Sequence, residues 1–82
     1  MPFGANVRNR LERLMMTSVE QRFVLLRTFG LDHDLVASLD MEGSPRLTTY
    51  RLEQYLDVLG GNLCEKITPN IEGTSLRPEL ER

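Results

Sequence analysis

The chain has 82 residues, with 10 Lys plus Arg against 12 Asp plus Glu, a formal net charge of -2, 40% hydrophobic and 27% charged residues. This is the composition of one small globular domain, with no length left for a second, and the single cysteine, Cys64, excludes a disulfide within the chain. The longest apolar runs, such as Phe23-Val24-Leu25-Leu26, have four residues, whereas a membrane-spanning helix needs about 20.

The opening Met-Pro-Phe-Gly-Ala-Asn lacks the apolar stretch of a signal peptide, so a cytoplasmic protein with no membrane contact is expected. A chain this short buries only about 60–65% of its unfolded surface and is marginal alone, which favours a homodimer. A structural zinc needs about four ligands. Cys64 and His33 supply two, and no metal or other cofactor is expected. Charge is unevenly placed. Residues 1–30 carry a net +3, through Arg8, Arg10, Arg13, Arg22 and Arg27 against Glu12 and Glu20. Residues 31–45 carry -4, through Asp32, Asp34, Asp40 and Glu42. The remainder carries -1.

In chain order, Val7, Leu11, Leu14 and Met15 fall at i, i+4, i+7 and i+8 and predict a first helix from about Ala5 to Met16. A second helix opens on Thr17, whose side chain and that of Glu20 can form a capping box. It is expected to bury Phe23, Leu25, Leu26 and Phe29 and to end at Gly30, a residue suited to the left-handed C-terminal position. Asp32 is a good N-cap for a third helix, to about Asp40, with Leu35, Val36 and Leu39 on its apolar stripe. Gly43-Ser44-Pro45 reads as punctuation. A fourth helix, from about Thr48 or Thr49 to Leu59, has Leu52, Tyr55, Leu56 and Leu59 at i, i+3, i+4 and i+7. Leu52, Leu56 and Leu59 are the expected heart of the core. Gly60-Gly61 stops it, and Leu63, Cys64 and Ile67 leave room for one short C-terminal strand, closed by Pro69. That edge strand is a second ground for a dimer. The expected architecture is all-α, a compact domain of four or five short helices over residues 1–69, with a flexible tail over residues 70–82 that is dispensable for folding.

Catalytic signals are absent. The serines, the one histidine and the one cysteine form no nucleophile elbow or zinc-binding helix. Gly60-Gly61 follows a helix, whereas a phosphate cradle leads into one. The chain is read as a non-enzyme. Four acidic residues over 32–42 are interrupted by apolar residues at helical spacing, so they would not converge on calcium.

The order of the pieces is the specific signal. The second helix, a turn at Phe29-Gly30-Leu31-Asp32, and a short third helix make a helix-turn-helix. From Gln21 to Gly61, 41 of the 82 residues, the chain resembles the Cro/repressor (XRE) type of helix-turn-helix protein. The resemblance rests on Phe29-Gly30-Leu31-Asp32, on Val36-Ala37-Ser38-Leu39-Asp40-Met41-Glu42-Gly43, on Pro45-Arg46-Leu47, and on Leu52 through Gly60-Gly61. The closing Leu-Gly-Gly is similar to small antitoxins and autoregulators. The chain departs from that pattern at Leu26, where the family has Ala, and by one residue inserted between Asp40 and Gly43. It also departs in Asp32 and Asp34, where reading helices present Gln, Ser, Thr, Arg or Lys.

Two functions are open. The resemblance implies a sequence-specific transcriptional regulator, a repressor or antitoxin, that binds double-stranded DNA as a homodimer. Arg22, Arg27, Arg46 and Thr48 would then grip phosphates, with His33, Asp34 and Ser38 at base edges. The alternative is a protein-binding inhibitor or regulator whose acidic helix-turn-helix face docks on a basic partner protein, such as a toxin or another regulator.

Overall fold

The computed structural model describes residues 3–74. Five helices follow one another: α1 (Ala5–Leu14), α2 (Val19–Thr28), α3 (His33–Ser38), α4 (Pro45–Leu59) and α5 (Leu63–Gly73). Helix α1 packs on α4 and α5, α4 also touches α5, and α3 packs on α2. The expected all-helical architecture is what forms.

The core joins these two groups. Leu11, Leu26, Phe29, Val36, Leu52 and Ile71 are each no more than 1% exposed. Leu52 and Leu56 are buried as expected, but Leu59 is 49% exposed. It is the last helical residue of α4, on the final turn before the chain breaks at Gly60. On α2, Leu26 and Phe29 are buried, whereas Phe23 and Leu25 are only partly covered. Their place on the inner face goes to Arg22, 6% exposed, which precedes Leu26 and Phe29 by i+4 and i+7 and so lies on their stripe.

Local chemistry sets the helix ends. The second helix is capped by Ser18, not Thr17: the Ser18 hydroxyl accepts from the Gln21 amide at 3.2 Å. At its other end Gly30 takes φ 104°. The Gly30 amide donates to Arg27 O at 3.0 Å and the Leu31 amide to Leu26 O at 3.3 Å, the paired closure that a left-handed glycine permits. Leu26 and Leu31 are both buried at this closure. The fourth helix starts earlier than expected. Ser44 caps it by accepting from the Leu47 amide at 3.1 Å, and Pro45 occupies the first turn, where no amide donor is required.

The largest departure is at the C-terminal end. The segment expected to hold a strand is α5, and Pro69 lies inside it with its ring exposed. Leu63, Cys64, Ile67 and Ile71 fall at i, i+1, i+4 and i+8, and the last two are 3% and 0% exposed. Burial of that stripe outweighs the helix-breaking tendency of one proline. Residues 70–74, taken from the sequence as the start of a flexible tail, are tied to the body. Asn70 Nδ2 donates to Phe29 O at 2.8 Å, and Arg10 donates to Ile71 O and Thr74 O. The rest of that expected tail, residues 75–82, lies outside the described residues. With no strand here, the edge-pairing ground for a dimer falls away, and only the argument from size remains.

Candidate functional site

The helix-turn-helix pieces are α2, a turn over residues 29–32, and α3. Helix α3 has six residues, a length of about 9 Å. Asp32 caps it, its carboxylate accepting from the Asp34 amide at 3.1 Å. His33, Asp34 and Ser38 are all exposed on α3. The His33 ring meets Phe23 edge-on at 5.4 Å between centroids, and its Nδ1 lies 3.7 Å from Asp34 Oδ1. The Asp34 side chain is 98% exposed. Ser38 Oγ donates to Asp34 O at 2.9 Å, so its proton is engaged within the helix.

The expected phosphate-gripping residues are not brought to one surface. Arg22 is interior. Its Nε donates to Met15 O at 2.7 Å, and its Nη1 to Met41 O at 2.7 Å, Gly43 O at 2.8 Å and Thr48 Oγ1 at 2.9 Å. Thr48 is 2% exposed and donates onward to Met41 O at 3.3 Å. Neither side chain is available to a phosphate. The physical reason is local: the last carbonyls of α1 and the turn after α3 need donors once buried, and α1's C-terminal end favours a cation. Arg27 is exposed, but its Nη1 donates to Leu31 O at 2.9 Å across the turn. Arg46 is exposed and has no hydrogen bond or ion pair among the described residues.

Other arginines are engaged in the same way. Arg51, which nothing in the sequence singled out, donates through Nη1 to Asp40 O at 3.0 Å and Glu42 O at 2.7 Å. Arg22 holds the carbonyls of Met41 and Gly43. Two guanidinium groups therefore grip four successive carbonyls, taken alternately, of the segment between α3 and α4. Arg51 also lies 3.5 Å from the Asp40 carboxylate. Arg8 Nε meets Glu53 Oε1 at 3.0 Å, with Glu53 almost wholly buried. That pair is 45 residues apart in the chain, a separation at which sequence pattern carries no signal.

Alongside the exposed Arg27, His33 and Arg46, the helix-turn-helix edge presents four carboxylates. Asp32, Asp34, Asp40 and Glu42 are all exposed, and only Asp40 has an arginine partner among the described residues. Comparison with family models, curated proteins and solved structures gives no match. Lone Cys64 sits at the start of α5, partly buried. Burial pushes its thiol pKa up, and the carboxylates of Glu53, Asp57 and Glu65 add to that rise. The thiolate is therefore scarce near neutral pH, which disfavours both nucleophilic attack and metal binding. No helix among the described residues is long and apolar enough to cross a membrane.

Proposed function

We propose that this domain is a protein-docking module whose acidic edge, built from Asp32, Asp34, Asp40 and Glu42 around α3, engages a basic surface on a partner protein. The observation that carries this reading is the fate of the basic side chains. Arg22 and Thr48 are interior and Arg27 is bonded across its own turn, so of the expected phosphate contacts Arg46 alone is exposed and unbonded among the described residues, while the exposed start of α3 presents Asp32 and Asp34. Carboxylates at that position repel phosphates and attract Lys and Arg. The turn segment from Asp40 to Gly43 is held on both sides by arginines, so Asp40 and Glu42 stand on a fixed backbone. Such preorganisation lowers the cost of binding.

The test compares two probes at about 50 mM salt, where even weak duplex binders are retained. One is a labelled random-sequence DNA duplex and the other a labelled peptide rich in Lys and Arg. Asp34→Lys should weaken peptide binding about tenfold, while Glu72→Lys, an exposed charge reversal on α5, should have little effect. Duplex binding with a negative log–log salt slope, weakened by Arg46→Ala and strengthened by Asp34→Ala, would instead establish the DNA-binding regulator.

A further inference from the structure

A residue lining the cleft between α1 and α4 carries a buried acceptor with no donor among the described residues. Glu53 is 1% exposed. Its Oε1 accepts from Arg8 Nε at 3.0 Å, while its Oε2 has no hydrogen-bond partner among the described residues. Thr49 Oγ1, one turn earlier on α4, is likewise unpartnered. A hydroxyl can donate or accept, but a carboxylate oxygen can only accept. Leaving such an atom buried without a donor is costly, and none of the described residues supplies one. The cleft has a volume of about 210 Å³ and is lined by Arg8, Glu12, Arg46, Tyr50 and Glu53. Of its lining residues, Arg46 and Tyr50 are exposed and without hydrogen bonds among the described residues.

We propose that this cleft receives the guanidinium head of an arginine presented by a partner protein. A flat fork of N–H donors suits the two carboxylates of the lining, Glu12 and Glu53, better than a point-charge ammonium does. The Tyr50 ring supplies a face on which a cation can lie. The Arg8–Glu53 bond engages one group of each sign, and what distinguishes the acidic side is that Glu53 keeps an unpartnered Oε2. The volume fits a side-chain head, below the ~300 Å³ at which drug-sized pockets begin. This site deepens the docking reading by naming a residue type on the basic partner, and small probes test it independently of the α3 edge.

The experiment is an NMR titration of the full ¹⁵N-labelled chain with methylguanidinium, its neutral counterpart methylurea, and inorganic phosphate. The amides around Glu12, Tyr50 and Glu53 are followed. Saturable shifts are expected with methylguanidinium, with affinity lowered about tenfold in Glu53→Gln. Arg46→Ala, which removes a like charge, should tighten binding. Because Glu53→Gln can unsettle the fold, Tyr50→Ala at an exposed position gives a second arm and should also weaken binding. No saturable shift, an equal response to methylurea, or a response to phosphate in place of the cation would overturn the proposal. Free arginine and its acetylated amide should bind alike. Much tighter binding of free arginine would assign the cleft to a small molecule and also overturn the proposal.

Discussion

Replacing Arg22 by alanine separates a structural role for this residue from a DNA-contacting one. The guanidinium donates to four groups, Met15 O, Met41 O, Gly43 O and Thr48 Oγ1, at 2.7–2.9 Å. Its removal leaves Gly43 O with no other donor among the described residues, while Met15 O keeps the Thr17 amide at 2.8 Å and Met41 O keeps the Thr48 hydroxyl at 3.3 Å. Each charge-assisted bond contributes about 1.5–3 kcal/mol net, so the loss of two or more of them should cost about 3–5 kcal/mol. A domain of this size has a stability of about 4–12 kcal/mol, taking the usual per-residue range. Arg22→Ala should therefore remove from about a quarter of the total to all of it. Arg22→Lys keeps the charge but offers all its donors from one nitrogen, so it cannot span Met15 O on one side and Met41 O and Gly43 O on the other. An intermediate loss of about 2 kcal/mol is expected. Urea unfolding followed by circular dichroism at 222 nm measures both. A midpoint change equivalent to less than about 0.5 kcal/mol, the range of ordinary surface substitutions, would refute the reasoning and return Arg22 to the surface.

Three other outcomes are expected. Ile71→Ala, at a fully buried position on α5, should cost about 2–5 kcal/mol by the same urea assay; an unchanged midpoint would mean that α5 is not part of the folded body. Ser44→Ala, which removes the cap of α4, should cost about 1 kcal/mol, read from the thermal midpoint. Cys64 should react with a disulfide reagent at pH 8 more slowly than a free model thiol, because its raised pKa leaves less thiolate. Asp57→Asn and Glu65→Gln, which remove two of the carboxylates that raise it, should speed the reaction, and a rate unmoved by either change would show that those charges do not act on the thiol.

The parts of this fold legible in the sequence are those that local pattern controls. The stripe of α1, the cap at Asp32, the glycine closure of α2 and the Leu52/Leu56 face of α4 all follow from spacing and turn chemistry, and all are present. The end of the chain was misread because Leu63, Cys64 and Ile67 were taken without Ile71. Adding that fourth residue converts a strand-like run into a helical stripe, and Pro69 looked like a boundary because its cost was weighed without the burial that offsets it. The candidate site was read less well. Arginine is an exposed residue by habit, so Arg22 and Arg51 signalled a surface charge at most. Their acceptors are main-chain carbonyls, which have no sequence signature. The Arg8–Glu53 pair and the Arg22–Thr48 bond join residues far apart in the chain, and only the assembled fold brings them together.

The alternating grip on residues 40–43 has a consequence for how this surface can change. Arg22 and Arg51 hold the carbonyls of that segment, and every residue type supplies a carbonyl. Met41 is anchored in the core and Gly43 takes φ 101°, so those two positions are constrained. Asp40 is held as well, because its carboxylate accepts from the Glu42 amide at 3.0 Å and lies 3.5 Å from Arg51. Position 42 is different: its side chain is exposed and its carbonyl bonds whatever that side chain is, so one lineage can carry a carboxylate there, another an amide or a lysine, with the trace of the loop unchanged. Choice of partner could then diverge between descendants of this chain by substitutions that leave its folding untouched.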